Sequence, residues 1–352
     1  MLLTKGTKGD RRQERVRFMD TKTIIKKLPK VDLHLHLDGS LRVETIRDLA
    51  ISHKFKLPTE DPEKLAKYCH VSKNCKSLAE FLDAFEFFYP FLKFPDSVFR
   101  MAYELCEDMA KDNVVYFETR FAPHLQATSK MSARDVVKYA LNGLKKGSKD
   151  FGVEFGAILC CYRPLPPETS YETVLIAEKF LGDGVVGIDL AGDESKYKLE
   201  IHKKALTRAR EIGIPITVHA GEAAPSWSVW DALNAGAKRI GHGVRIREDK
   251  KLYQKIIKEK IPLEICLTSN VQTRAVESYE KHPFPEYYKN GIVTVLNTDD
   301  PGVSNIDLSY EYTIACKKYR LSIDDLKKIV NYGIQSAFCS DSIKVELSKG
   351  IS

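Results

Sequence analysis

The chain has 352 residues, of which 43% are hydrophobic and 29% charged, and its formal net charge is +7. This composition is ordinary for a soluble globular protein and allows one sizeable core. It excludes a chain that crosses a membrane, because no apolar run approaches the roughly 20 residues that span a bilayer.

The N-terminal region is basic, with Lys and Arg outnumbering acidic residues over positions 1–30. Residues 1–18 lack the apolar stretch of a secretory signal, so we expect a cytoplasmic protein with no membrane association. The basic side chains lack regularly interleaved aromatic residues. We therefore interpret residues 1–27 as a solvated, flexible extension rather than a nucleic-acid or membrane-surface arm.

The eight cysteines do not resemble a disulfide framework. Most of them lie in apolar runs, and none forms a C-x-x-C pair. This pattern predicts reduced, buried thiols and argues against a thiolate zinc site.

Eight strands are predicted from short apolar, β-branched runs that end at turn residues. Most runs are continuously apolar rather than alternating, which is typical of parallel strands buried on both faces. The predicted strands are residues 31–37, 114–122, 155–162, 185–191, 215–220, 239–243, 262–267 and 291–297.

Helices are predicted between these strands, where apolar residues recur at helical spacing. The predicted helices are residues 96–112, 133–152, 170–182, 200–213 and 250–260. Eight strands alternating with helices predict an α/β fold, a (β/α)8 TIM barrel. The long first gap, residues 38–113, contains an extra apolar-rich segment at 76–94. We interpret it as extra helices inserted after the first strand, above the barrel mouth, and expect residues 28–352 to form a single domain.

Polar residues with catalytic potential follow several of the predicted strands. In such barrels the catalytic side chains lie at the carboxyl ends of strands. Four of the nine histidines occupy these positions, on three different strands. The strand-end residues are His34, His36, Asp38, Gly192, Asp193, His219, Glu222, His242, Asp299 and Asp300.

A metal site is predicted at this rim. His34 and His36 are two residues apart on one strand, so both imidazoles point to the same face. This pair alone is a weak signal, but His219 supplies a third nitrogen and Asp299 a carboxylate oxygen. Such a set suits Zn²⁺, although Fe²⁺, Co²⁺ or Mn²⁺ could use the same ligands.

The remaining rim residues each have a structural alternative. Glu222 is either a proton donor beside the metal or a carboxylate at the surface or at a helix start. His242, between two glycines, is either functional or a buried, hydrogen-bonded histidine. Asp299 and Asp300 point to opposite sides of a strand, so one could bind metal while the other faces a ligand. The alternative for this pair is an acidic turn before Pro301.

Six segments together resemble the adenosine deaminase family of metal-dependent amidohydrolases, over about residues 28–345. They are LHLHLDGS (33–40), ILCCYR (158–163), GIDLAGDE (187–194), VHAGE (218–222), IGHG (240–243) and LNTDDP (296–301). The resemblance implies one zinc ion per chain, held by His34, His36, His219 and Asp299. It also implies that Asp299 takes part in catalysis and that His36 borders the substrate.

The same resemblance implies roles for the other rim residues. Glu222 corresponds to the residue that protonates purine nitrogen 1, and His242 to the residue that orients and helps deprotonate the attacking water. Asp300 corresponds to the carboxylate facing nitrogen 7, and the Gly192 amide to the donor to nitrogen 3. The remaining substrate contacts implied are Asp38, on the ribose 5′-hydroxyl, and the apolar gate Phe81 and Leu82.

The function implied is hydrolytic deamination of adenosine and 2′-deoxyadenosine, with release of ammonia. The expected partner is a small purine nucleoside, bound by a monomer that does not bind nucleic acid. Related enzymes acting on adenine or on 6-methylamino-purine nucleotides carry Glu or Asn, respectively, where this chain has Asp38. A carboxylate there favours a free 5′-hydroxyl over a phosphate. A barrel with an additional protein-binding role is a further alternative.

Overall fold

The computed structural model describes residues 21–72 and 75–351. Within these ranges eight strands follow one another along the chain. They are β1 (Lys30–His36), β2 (Val114–Phe121), β3 (Glu154–Tyr162), β4 (Val185–Ala191), β5 (Thr217–Ala220), β6 (Arg239–His242), β7 (Leu263–Ile265) and β8 (Thr294–Leu296).

The strands form a closed parallel barrel, which confirms the predicted fold. Continuous parallel pairing joins β1 to β4 in order and β5 to β8 in order. Two single bridges close the seams between these halves, Ile188 to Ile216 and Leu35 to Asp299. The second seam is tight, since His36 N donates to Asp299 O at 2.7 Å and Asp299 N donates to His34 O at 2.8 Å. Barrel closure therefore brings the first and last strands together at the rim.

Helices surround the barrel, and every predicted helix is present. The described helices are α1 (Val43–Ser52), α2 (Pro62–Cys69), α3 (Leu78–Phe88), α4 (Pro95–Lys111), α5 (Pro123–Gln126), α6 (Ala133–Phe151), α7 (Pro167–Phe180), α8 (Lys203–Glu211), α9 (Trp227–Asn234), α10 (Lys250–Glu259), α11 (Leu267–Gln272), α12 (Phe284–Lys289), α13 (Pro301–Ser304), α14 (Leu308–Tyr319), α15 (Ile323–Ser336) and α16 (Asp341–Lys349). Residues 21–27 are also helical. The predicted insertion after the first strand contains α1, α2 and α3.

Some boundaries differ from the predicted ones for local reasons. Helix α7 begins three residues earlier than predicted, because Pro167 is favourable at its first position. The segment predicted as one helix at 200–213 starts as a 3₁₀ turn, Leu199–His202, before α8. Strand β7 is shorter than predicted, since α11 begins at Leu267, immediately after Cys266.

The barrel interior contains an unexpected group of buried charges below the rim. Arg239 Nε lies 2.6 Å and Arg120 Nη2 2.9 Å from Glu264, while Arg120 Nη1 lies 3.1 Å from Asp189. Arg239 Nη2 also pairs with Glu118 at 2.5 Å. A buried charge is tolerated only when it is paired and hydrogen-bonded, so this network constrains the strands that carry it.

Most of the predicted basic extension, residues 1–20, lies outside the described residues. In the described part, Ile25 belongs to the hydrophobic core and is fully buried. Lys26 Nζ pairs with Asp112 at 3.1 Å and with Asp307 at 2.9 Å. Across the described ranges, no helix combines the length and apolar character needed to cross a membrane.

Candidate active site

Three imidazoles and one carboxylate meet at the carboxyl ends of the strands. His219 Nε2 lies 3.1 Å from His34 Nε2 and 3.3 Å from His36 Nε2. Asp299 Oδ1 lies 3.2 and 3.3 Å from the same two nitrogens. Ligand atoms about 2.0–2.1 Å from a tetrahedral Zn²⁺ lie roughly 3.3 Å from one another. The donor set predicted from the sequence therefore has the spacing of a metal site.

His242 is close enough to compete for the same ion. Ligand atoms of His34, His219, His242 and Asp299 lie within 4.8 Å of one another, and His36, Asp299 and Asp300 form a second such group. His242 Nε2, however, lies 3.9 Å from Asp299 Oδ2, farther than the His36 contact to Asp299. The shorter contacts favour His36 as the fourth ligand and leave His242 beside the site.

Buried carboxylates orient the imidazoles from behind. His34 Nδ1 lies 2.8 Å from Glu264 Oε2, and His219 Nδ1 lies 2.8 Å from Asp189 Oδ2. Each contact turns Nε2 of the ring toward the site, an arrangement common around metal ligands. Burial lowers the pKa of His219 to about 3, which keeps this ring neutral, as metal ligation requires.

Sequence reasoning missed these two carboxylates. Asp189 lies within the segment GIDLAGDE and Glu264 within PLEICL, each as an isolated acid in an apolar strand. An ionisable residue inside such a strand is the signal that could have identified them, because it needs a buried partner.

The backbone at the rim adopts unusual conformations. His242 and Asp299 have φ angles of 64° and 65°, a region that residues other than glycine seldom occupy. Such conformations concentrate at functional sites. Close packing also explains why a glycine precedes His242. A Cβ at Gly241 would lie only 3.0 Å from His34 Cε1.

Glu222 is buried beside the metal site and has a hydrogen-bonded carboxyl group. Burial, together with the charges of Asp299 and Glu194, raises the pKa of Glu222 to about 8. Thr273 Oγ1 donates to Glu222 Oε1 at 2.9 Å. Burial thus favours the protonated form of this group, which can donate a proton.

Glu194, also missed from the sequence, holds the turn that carries Glu222. Its carboxylate accepts from the backbone N–H groups of Gly221, Glu222 and Ala224, at 3.1, 2.7 and 2.9 Å. Hydrogen bonds to a charged acceptor are among the strongest in proteins, so Glu194 restrains the position of Glu222.

His242 is held in one orientation by Asn270. Asn270 Nδ2 donates to His242 Nδ1 at 2.9 Å, while Asn270 Oδ1 accepts from His282 Nε2 at 3.2 Å. Burial lowers the pKa of His242, so the ring is neutral and its proton lies on Nε2. That nitrogen is 3.6 Å from Glu222 Oε2 and points to the centre of the site.

The predicted substrate residues line one cavity of about 330 Å³ that opens beside the candidate metal ligands. It is bordered by His36, Asp38, Phe81, Leu82, Gly192, Glu222, His242, Asp299 and Asp300. Asp300 Oδ1 is buried and has no hydrogen-bond partner among the described residues. Asp193, in contrast, is turned away and accepts from Ser195 N at 3.0 Å.

Comparison with known proteins gives matches over nearly the whole chain. The sequence profile of the family described as adenosine deaminase matches residues 29–352. The adenosine deaminase of Clostridium acetobutylicum is 39% identical over 332 residues, covering 94% of this chain and 99% of that protein.

Solved structures show the same likeness. The N6-mAMP deaminase of Arabidopsis has a TM-score of 0.84 and 31% identity, covering 94% of this chain and 99% of that one. An amidohydrolase from Burkholderia ambifaria, with bound Zn, has a TM-score of 0.86 and 25% identity, covering 94% and 91%. Both structures align with this chain over nearly their whole length, so the fold and the chain length are similar.

Proposed function

The chain belongs to the adenosine deaminase family, and we propose that it catalyses zinc-dependent hydrolytic deamination of adenosine and 2′-deoxyadenosine. The products are inosine or 2′-deoxyinosine and ammonia. One observation carries this proposal: the buried carboxyl group of Glu222 lies beside a cluster of three histidines and an aspartate, at the wall of a nucleoside-sized cavity. Deamination of a purine needs both an activated water and a proton donor to the ring.

We propose that one Zn²⁺ per chain is held by His34, His36, His219 and Asp299. The donor spacing and the carboxylates behind the imidazoles support this set. The Zn bound by the Burkholderia amidohydrolase supports the choice of metal. When bound, zinc supplies Lewis acidity that lowers the pKa of water from 15.7 to about 7.

Glu222 acts as the proton donor to purine nitrogen 1. Because Thr273 donates to Oε1, the carboxyl proton is carried on Oε2, the oxygen that faces His242 Nε2 at 3.6 Å. Electron density moves onto the ring nitrogen as carbon 6 is attacked, and Glu222 neutralises it by transferring this proton. The Glu194 carboxylate holds the Glu222 backbone during the transfer.

His242 orients the attacking water. Its Nε2 proton faces the centre of the site, so it donates a hydrogen bond there and restricts the direction of attack. This tautomer supports the orienting part of the predicted role. Acceptance of a proton from the water by His242 would require its Nε2 to lose the proton it carries.

The purine is positioned by groups on the other side of the cavity. Asp300, which borders the cavity, faces the nitrogen 7 edge. The Gly192 amide serves nitrogen 3, and Phe81 and Leu82 cover the base from α3. Asp38 accepts from the ribose 5′-hydroxyl.

The charge of the cavity favours a nucleoside over a nucleotide. Asp38, Asp83 and Glu86 border it, and no Lys or Arg of the described residues does so. A 5′-phosphate beside these acids would be repelled, which is unfavourable in a partly desolvated site. The alternative substrate, a 6-methylamino-purine nucleotide, is thereby disfavoured.

We further propose that the enzyme acts in the cytoplasm, since its eight cysteines are free thiols, a state that a reducing compartment preserves. The monomeric state and the absence of nucleic-acid binding stay predictions.

Ammonia release by the zinc-loaded protein tests the function directly. We expect fast turnover of adenosine and 2′-deoxyadenosine, and little turnover of adenine or AMP. A preference for adenine or AMP would keep the chemistry but overturn the substrate. Failure to deaminate any of the four would overturn the proposed function.

A further inference from the structure

Asp38 is clamped by two donors from different parts of the chain. Tyr89 Oη donates to Asp38 Oδ2 at 2.7 Å, and Gln126 Nε2 donates to the same oxygen at 3.3 Å. No donor among the described residues reaches Oδ1. Asp38 and Gln126 are both buried, and Asp38 borders the substrate cavity.

The two donors lie on elements that frame the cavity. Tyr89 directly follows α3, the helix that carries Phe81 and Leu82, and its ring packs 6.0 Å from those of Phe85 and Phe88. Gln126 is the last residue of α5, just after β2. The clamp therefore ties the turn after β1 both to the helix over the cavity and to the neighbouring strand.

We propose that Tyr89 and Gln126 are positioning residues that determine selectivity for a nucleoside with a free 5′-hydroxyl. They saturate Oδ2 of Asp38 and hold its side chain in one rotamer, so that Oδ1 is the single acceptor for the substrate hydroxyl. This inference rests on the proposed function, because it assumes that Asp38 binds the 5′-hydroxyl.

The physical argument depends on what an unpaired carboxylate costs. A site built to hydrogen-bond a hydroxyl group rejects an analogue without it, because the buried polar group is left unpaired. That rejection requires a carboxylate that cannot turn to find another partner. Burial, with the adjacent Asp38 charge, raises the pKa of the Tyr89 phenol well above its usual range, so Tyr89 remains a donor.

The clamp also links sugar recognition to α3. Phe81, Leu82 and Phe85 on that helix line the same cavity as Asp38. Because Tyr89 follows this helix directly, a displacement of α3 moves the hydroxyl that restrains Asp38. The hydrogen bond from Tyr89 to Asp38 therefore couples binding of the 5′-hydroxyl to the position of α3.

The test compares kcat/KM for adenosine and 5′-deoxyadenosine in zinc-loaded wild type, Tyr89→Phe and Gln126→Met. We expect wild type to prefer adenosine, and each variant to reduce the preference about tenfold, the effect of one lost hydrogen bond. The loss should fall on adenosine, with little change for 5′-deoxyadenosine. Tyr103→Phe is the matched control, because Tyr103 also donates to a carboxylate, Asp150 at 2.9 Å, but on the surface.

The outcomes separate the two proposals. An equal loss for both substrates in Tyr89→Phe and Gln126→Met would show a merely structural role and overturn the inference. Equal turnover of the two substrates by wild type would also overturn it. If Tyr89→Phe does not fold, the ratio in Gln126→Met decides. Absence of adenosine turnover by wild type would overturn the proposed function, and this inference with it.

Discussion

Alanine at Gly39 would displace the side chain of Asp300, which we propose contacts the substrate. Gly39 lies in the 3₁₀ turn after β1, and a Cβ built there would lie 1.9 Å from Asp300 Oδ1 and 2.7 Å from its Cγ. The φ angle of Gly39 is outside the left-handed region, so alanine fits the backbone. The three atoms nearest to the new Cβ all belong to the Asp300 side chain.

The size of the effect follows from the overlap. A carbon and an oxygen in contact stay roughly 3.2–3.5 Å apart, so Asp300 Oδ1 must move by more than about 1 Å. A displacement of about 1 Å at a reacting group can reduce the rate about 10²-fold. We expect kcat/KM for adenosine to fall by that factor, about 2.7 kcal/mol at 1.36 kcal/mol per tenfold change.

The measurement pairs adenosine with 7-deazaadenosine, which lacks the nitrogen that Asp300 is proposed to face. In Gly39→Ala, kcat/KM for adenosine should fall strongly relative to wild type. For 7-deazaadenosine, the same substitution should lower kcat/KM only slightly. Zinc content should stay at one per chain, since the atoms nearest to the new Cβ belong to Asp300 and not to a proposed metal ligand. Gly350→Ala is the control, because the nearest atom to its new Cβ would be 3.7 Å away. Wild-type activity in Gly39→Ala would refute the assignment of Asp300.

Further substitutions and the pH profile test the remaining roles. Glu222→Gln should keep zinc but lower kcat about 10²–10⁴-fold, the usual contribution of a general acid; retained turnover would remove this role. His219→Ala should lose the metal, and full zinc occupancy measured in that variant would contradict the ligand set. Glu194→Gln should keep zinc and reduce turnover about tenfold, because it weakens charge-assisted hydrogen bonds that hold Glu222. Since Glu222 must be protonated and its pKa is raised to about 8, kcat/KM should fall as pH rises through that value; a profile that stays flat there would disagree.

Local features of the chain were sufficient to predict the barrel and the group of polar side chains at its rim. Each strand is a short apolar run between turn residues, and that property depends on near neighbours alone. His34 and His36 share a strand face by simple alternation. The position of His219, Glu222, His242 and Asp299 at strand ends follows from the strand boundaries. The strand-end rule of the fold then brings these distant positions to one rim.

Contacts between distant segments were decided only in three dimensions. Asp189 and Glu264 lie behind the imidazoles, Glu194 holds the Glu222 turn, and Tyr89 reaches Asp38 across 51 positions. Strand periodicity gives the face on which a side chain lies, but not the rotamer or the partner that it meets across the barrel. Those depend on the closing seam between Leu35 and Asp299 and on close packing. The amino-acid pattern therefore determined the fold and brought the candidate site residues to one rim, while tertiary packing decided their orientation and the direction of their pKa shifts, because burial and neighbouring charges act through space.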